Sequence, residues 1–207
     1  MPAYIYIQCF VKCNEETFTR LLNNFGLALH DIGFPDNYIR NHVDILKWEL
    51  SDNGCMYSGC DMPSILINIC NYDFNVRPIV MGFTPDGYEG LKENWVEVAL
   101  LFMEDEIAKD YGTGAMFENS KETIWLASNI LSKHFPEAIV FLADEITDAL
   151  PWEATLGLCE NLYAFDLAII PSSHSYTYTH IPKGYKAIDR DDKTYIIRME
   201  VWGEIYG

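Results

Sequence analysis

Three carboxylates at the end of an apolar run are the side chains of this sequence best suited to chemistry. The apolar residues 139–143 are followed directly by Asp144 and Glu145, and Asp148 lies four residues after Asp144. A strand that ends in two acids holds magnesium and positions water in nucleotide hydrolases. Carboxylates four residues apart share a helix face, where their oxygens suit a divalent cation. The alternatives for these acids are capping, solvation and contact with a partner.

A nucleotide site also needs a phosphate loop, and the sequence does not supply one. The Gly-Thr-Gly of residues 112–114 leads into Ala-Met-Phe, whereas a Walker A loop needs a lysine followed by a hydroxyl residue. No G-x-S-x-G or H-E-x-x-H pattern is present either. A metal-dependent or acid/base hydrolase therefore stays as an alternative that the fold would have to assemble. Its candidate catalytic residues are Glu145, His174 and His180, and its candidate metal ligands are Asp144, Glu145 and Asp148.

The charge of the chain argues for a different kind of partner. The 207 residues include 14 Lys+Arg and 31 Asp+Glu, a formal net charge of −17. Binding to nucleic acid or to an anionic membrane requires a basic footprint, so both are disfavoured. No lysine or arginine occurs between Lys133 and Lys183, although that segment holds seven acids. Because uncompensated like charges destabilise a compact chain, this pattern favours a basic protein partner, with simple solubility as the alternative.

The same segment also contains aromatic side chains that could anchor a partner within an acidic surround. The predicted partner-binding residues are Asp144, Glu145, Asp148, Trp152, Glu153, Tyr176 and Tyr178. Residues 173–180 alternate strictly, so an edge strand would place His174, Tyr176, Tyr178 and His180 on one face. For Trp152 the alternative is a place in the core.

Cysteine usage and the N-terminus predict a cytosolic location. Six cysteines in a chain that begins without a basic, apolar leader are expected to be reduced thiols. Cys55 and Cys60 are closely spaced, but no second pair or neighbouring histidine supports zinc. No uncharged apolar run is long enough to span a bilayer, and no cofactor is predicted.

Hydrophobic periodicity predicts the elements that would position these residues. Helices are expected over residues 15–30 and 120–134, with a third opened by Pro151 and Trp152. Strands are expected over 3–12, 43–50, 64–73 and 76–83, with a break at 73–75, and residues 184–202 read as a hairpin. Residues 94–103 favour a strand followed by a helical turn. The apolar runs 139–143 and 167–171, joined by a helix, are compatible with a crossover unit.

These elements predict an α+β fold with a mixed, largely antiparallel sheet and two to four helices. Residues 1–207 are expected to form one domain, with a loop at 84–90 between possible sub-lobes 1–84 and 91–207. The leading functional hypothesis is a non-enzymatic cytosolic module whose acidic face binds a basic protein, as an inhibitor or immunity-type neutraliser would. The hydrolase described above is the second hypothesis, and the oligomeric state is left open.

Overall fold

The protein is built on one antiparallel sheet of nine strands with helices packed on it, which confirms the α+β class. The computed structural model describes residues 3–110 and 113–203; Gly112, part of the Gly-Thr-Gly considered above, lies outside them. In chain order the elements are β1 (Tyr4–Lys12), α1 (Glu15–Ile32), α2 (Asp36–His42), β2 (Met56–Gly59), β3 (Ile65–Ile69), β4 (Tyr72–Phe83), β5 (Trp95–Met103), α3 (Glu104–Ile107), β6 (Ala108–Asp110), β7 (Ala115–Met116), α4 (Glu118–His134), β8 (Val140–Asp144), α5 (Leu150–Thr155), β9 (Leu167–Pro171), a 3₁₀ helix (Ser172–Thr177), β10 (Tyr185–Arg190), β11 (Lys193–Arg198) and α6 (Met199–Trp202).

Strand β1 lies inside the sheet, between β5 and β8. The order is β10-β11-β9-β8-β1-β5-β4-β2, with β3 also paired to β4, while β6 and β7 form a separate ribbon. Both neighbours of β1 run antiparallel to it, and Ile5 pairs with Phe102 on one side and with Asp144 on the other. Because an interior strand is covered on both faces, its sequence is apolar almost throughout, as predicted.

Helix α1 begins and ends where local chemistry satisfies its free backbone groups. The Asn14 side chain accepts a hydrogen bond from Thr17 N at 3.1 Å, and Thr17 Oγ1 accepts one from Asn14 N at 3.0 Å, which forms a capping box. Gly33, with φ of 119°, ends the helix in the left-handed region. Phe25 and Leu29 on its buried face belong to the main core, which α4 also covers.

The opposite face of the sheet carries a second, largely aromatic core. Phe10 of β1 stacks on Trp152 of α5 with ring centroids 4.2 Å apart and planes 5° apart. Phe83, Phe141 and Phe165 belong to the same cluster. The sheet therefore has long helices on one face, and α5 with aromatic loops on the other.

Several predicted elements are confirmed and four are wrong. Strand β5 followed by the turn α3, and the hairpin of β10 and β11, form as expected. Residues 43–50, by contrast, form no strand, because Leu46 and Trp48 pack on the core without a partner strand while Leu50 is exposed. The break placed at 73–75 lies inside β4; the turn is instead at Cys70 and Asn71, both at positive φ.

The remaining two corrections concern the acidic segment. Strands β8 and β9 pair antiparallel, so they form no crossover unit, and the six residues of α5 are too few to span one. The alternating residues after β9 form a 3₁₀ helix instead of an edge strand. There the Ser175 hydroxyl donates to Ser172 O at 2.9 Å, a local bond by which serine competes with strand pairing.

Strands from both predicted sub-lobes share the sheet, since β4 and β5 pair across the 84–90 loop. Within residues 3–110 and 113–203, no helix combines the length and apolarity that crossing a bilayer needs.

The capping box gives a direct test of what holds α1. Asn14→Ala should lower the free energy of unfolding by about 1 kcal/mol, because Thr17 N loses its acceptor. Urea denaturation followed by far-UV circular dichroism measures this change. Asn23→Ala, an exposed position within the same helix, is the matched control and should not lower stability. An equal loss in both variants would contradict the capping role.

Candidate functional site

Acidic side chains meet at one end of the three central strands. Tyr4 of β1 pairs with Met103 of β5, and Glu104 N donates to Ala3 O at 3.0 Å. The register of β1 with β8 brings Asp144 to the same end. Partial burial, reinforced by the nearby charges of Asp144 and Glu145, raises the pKa of Glu104. We call Glu104, Asp144 and Glu145 the acidic end. Strand pairing brings Glu104 to the other two residues, which are distant from it in sequence.

The turn after β8 is fixed by Asp144 itself. Its Oδ1 accepts hydrogen bonds from Ile146 N at 3.0 Å, from Thr147 N at 2.8 Å and from Thr147 Oγ1 at 2.8 Å. Asp144 Oδ1 therefore accepts its hydrogen bonds from the turn that follows it, an arrangement common for aspartate in turns. The turn leaves the Ile146 side chain 87% exposed, directly beside the exposed Glu145. The acidic end therefore displays an apolar side chain that sequence analysis did not single out.

Asp148, the third predicted carboxylate, points away from that surface. With the Gln8 amide oriented so that its nitrogen faces the acids, Nε2 donates to Asp148 Oδ1 at 2.7 Å and to Glu97 Oε1 at 3.0 Å. Gln8 and Glu97 are buried on neighbouring strands. Ala149, which follows Asp148, has φ of 59°, a strained value for alanine that accompanies this inward turn. Gln8, Glu97 and Asp148 are called the buried acid cluster below.

Burial makes this cluster hold protons unusually tightly. Loss of hydration, strengthened by the charge of Asp148, raises the pKa of Glu97 to about 8. Loss of hydration also raises the pKa of Asp148 to about 6, and Glu153 and Glu145 add to the effect. A buried and a partly buried carboxyl group joined by one amide cannot easily ionise together. The cluster can therefore store a proton near neutral pH.

Sequence reasoning missed Glu97 and Gln8, although a signal for each exists. Glu97 is the only charged residue of β5, and Gln8 is a lone amide in the apolar part of β1. A polar residue that interrupts a buried strand needs a partner, because an unpaired one is costly. Each residue can be identified separately in this way, but only the tertiary structure shows that the two meet.

The other predicted partner-binding residues are divided between core and surface. Trp152 is only 3% exposed and Tyr178 is also buried, so neither presents a free anchor. Glu153 accepts a hydrogen bond from the Tyr88 hydroxyl. Tyr176 is 74% exposed, but it follows β9 and lies at the opposite end of the sheet from the acidic end. The core alternative for Trp152 is thus the observed one.

Two of the candidate catalytic residues, His174 and Glu145, do not come together. His174 lines a cavity with Ile139, at the start of β8, whereas Glu145 follows the other end of that strand. His180 is exposed, and its carbonyl accepts from Tyr163 Oη at 2.6 Å. In the described part of the chain, no three side chains among His, Cys, Asp and Glu come together as metal ligands. This includes Asp144, Glu145 and Asp148, since the last belongs to the buried acid cluster.

A cavity of about 460 Å³ opens at the opposite end of β1 from the acids. Aromatic rings and a few polar groups line it, chiefly Phe10, Trp95, Trp152, Arg20, Glu137 and His174. A second cavity of about 360 Å³ adjoins it and shares Val11, Lys12, Arg20, Glu137 and Ala138. Volumes of this size, with mainly apolar walls, are typical of small-molecule sites.

No protein-family model, curated protein or solved structure matches this chain. Functional inference therefore depends on the geometry of its own residues.

The buried acid cluster predicts that stability falls as the pH rises. Because the pKa of Glu97 is about 8 when folded, against 4.5 ordinarily, the folded state binds more protons between those values and loses stability towards pH 8. Glu97→Gln should be more stable than wild type at pH 8 by on the order of 2 kcal/mol, with little difference at pH 4. Its remaining slope should lie below pH 6, where Asp148 titrates.

Urea unfolding from pH 4 to 9 measures both curves, and Glu49→Gln, at an exposed acid, serves as the control. A wild-type stability that stays level or increases between pH 6 and 8, or a Glu97→Gln curve parallel to it, would contradict this account.

The positions of the aromatic residues predict different costs on truncation. Trp152→Ala should lower the free energy of unfolding by about 3–5 kcal/mol, because it removes the ring stacked on Phe10. Tyr176→Ala should change stability by less than about 0.5 kcal/mol, as expected for an exposed side chain. Chemical denaturation of both variants measures the difference. Similar costs at the two positions would mean that Trp152 is not a core residue.

Proposed function

We propose that this protein is a cytosolic, non-enzymatic binding module whose acidic end engages a basic protein, as an inhibitor or immunity-type neutraliser does. The observation that carries the proposal is the exposed Ile146 within the turn that follows Asp144 and Glu145. A large apolar side chain held in water by an ordered turn, and bordered by carboxylates, can serve as the apolar anchor of an interface with an acidic rim.

The charges at this end support fast and selective association. Glu104, Asp144 and Glu145 come from two separate parts of the chain, yet they lie close enough to influence one another. Arg198 forms ion pairs nearby with Asp166, at 3.2 Å, and with Glu200, at 3.1 Å. Its charge is therefore already compensated. A surface of one sign steers a partner of opposite sign and disfavours acidic competitors.

Ile146 would supply the part of the binding energy that does not depend on salt. Burying an isoleucine side chain stabilises a complex by roughly 1.5–3 kcal/mol relative to leaving it in water. Exposed ion pairs each contribute less, about 0.2–1 kcal/mol. The proposal therefore assigns affinity mainly to Ile146, and partner choice and association rate mainly to the acids.

No contact favours the hydrolase alternative among the residues described. His174 lies at the opposite end of β8 from Glu145, and Asp144 Oδ1 is occupied by its own turn. Burial raises the pKa of Asp148 to about 6, but its carboxylate is bonded to Gln8 inside the buried acid cluster.

The proposal is tested by separating charge from apolar contact at the acidic end. The double variant Glu104→Gln with Glu145→Gln removes two charges without disturbing the Asp144 turn, and Ile146→Ser removes the apolar anchor. Wild type and variants, immobilised, are used to capture proteins from a native lysate at rising salt. The captured basic protein is then titrated by calorimetry. We expect Ile146→Ser to bind roughly tenfold more weakly with its salt dependence unchanged, and the charge variant to bind about threefold more weakly with a reduced salt dependence.

Glu49→Gln with Asp52→Asn is the matched control, because it removes the same charge from an exposed loop elsewhere. It should bind like wild type. The acidic-end proposal is wrong if the control weakens binding as much as the double variant does. It is also wrong if Ile146→Ser has no effect, or if no basic protein is retained by wild type.

A further inference from the structure

The cavity at the far end of β1 differs from the rest of this acidic molecule in the side chains that face it. Lys12 pairs with Trp95 in the register of β1 and β5, whereas the acidic end lies eight residues back, beyond Tyr4. At about 3.4 Å per residue, β1 separates the two ends by roughly 27 Å, well beyond the Debye length in physiological salt. The charges that a ligand would meet here are therefore the local ones.

Aromatic rings form the apolar part of the wall. Trp95 and Trp152 meet edge to face, with centroids 5.8 Å apart and planes at 69°. Phe10 is stacked on Trp152, and this contact holds the Trp152 ring in place. Trp95 itself is only partly buried, so part of its ring faces the cavity. Walls of this kind favour a flat, aromatic ligand, because offset or edge-to-face ring contacts add to simple burial.

The polar groups of the wall favour one negative charge on that ligand. Arg20 lines both cavities and is exposed, and its guanidinium makes no ion pair or hydrogen bond within residues 3–110 and 113–203. Lys12, by contrast, is paired with Glu93, and its Nζ lies 5.5 Å from the centroid of the Trp95 ring. A planar guanidinium without a partner matches a carboxylate in a bidentate pair.

Glu137, the acid that lines the cavity, limits the negative charge that a ligand can carry there. Glu137 lines the same two cavities as Arg20 and would repel a polyanion such as a nucleotide phosphate. His174 is the other polar ring on the wall and can donate or accept a hydrogen bond.

We propose that this cavity binds a small, flat aromatic molecule that carries one carboxylate, with its ring against Trp95 and its carboxylate on Arg20. The site does not depend on the acidic end, so either proposal can fail without the other.

The test compares three probes of one shape and different charge: 2-naphthoate, 2-naphthylmethanol and 2-naphthylmethylammonium. Each is titrated into the full ¹⁵N-labelled chain, and the indole N–H resonances are followed by NMR. We expect 2-naphthoate to bind roughly tenfold more tightly than the alcohol, and the ammonium more weakly than the alcohol. The Trp95 resonance should move while those of Trp48 and Trp125 stay fixed.

Two arginine variants separate the carboxylate contact from general charge. Arg20→Gln should remove the preference for 2-naphthoate and leave the affinity for the alcohol unchanged. Arg190→Gln, at an arginine stacked on Trp125 elsewhere, should keep the preference. The proposal is overturned if Arg20→Gln keeps the preference, if the shifts arise at Trp125 and not at Trp95, or if no probe binds the wild type.

Discussion

The structure depends on strand β1 being paired on both edges and covered on both faces. Its pairing with β5 and β8 joins the first, middle and later parts of the chain, which are distant in sequence. Odd-numbered residues such as Ile7 face the main helical core, whereas Phe10 faces the aromatic core. A one-residue shift in the pairing of β1 would turn each of these side chains to the opposite face of the sheet, so neither core could pack correctly. The register is therefore strongly determined, and with it the position of each group considered above.

Because β5 and β8 are both antiparallel to β1, each end of β1 collects residues from three segments. One end gathers Glu104 and Asp144, and the other gathers Trp95 with the start of β8. The two ends differ in chemistry as well as in place. Carboxylates around an exposed isoleucine suit a macromolecular partner, whereas an aromatic cavity lined by Arg20 suits a small molecule. One strand thus separates two surfaces that need not influence each other.

Between the two ends, the buried acid cluster is the feature that core packing alone does not explain. Gln8, Glu97 and Asp148 lie where apolar side chains would cost less. The two acids are tolerated there because a proton is retained and the Gln8 amide bonds to both carboxyl groups. Asp148 also connects this cluster to the turn that carries Ile146, which lies two residues earlier. The titrating Asp148 and the exposed Ile146 therefore belong to the same short segment of the chain.

The sequence by itself determined the α+β class, the two long helices, the β5 strand and the final hairpin, because hydrophobic periodicity and capping are local properties. It also identified Asp144 and Glu145 as exposed acids after a buried strand. Only the tertiary structure decided that Trp152 belongs to the core, that Asp148 turns inward, and that Glu104 joins the acidic end. These outcomes depend on which strands pair and in which register, and such long-range pairing leaves no periodic signal in any one segment. The prediction of a strand for the alternating residues after β9 is wrong for the same reason. Without a partner strand, they form a 3₁₀ helix in which a serine hydroxyl bonds to the nearby backbone.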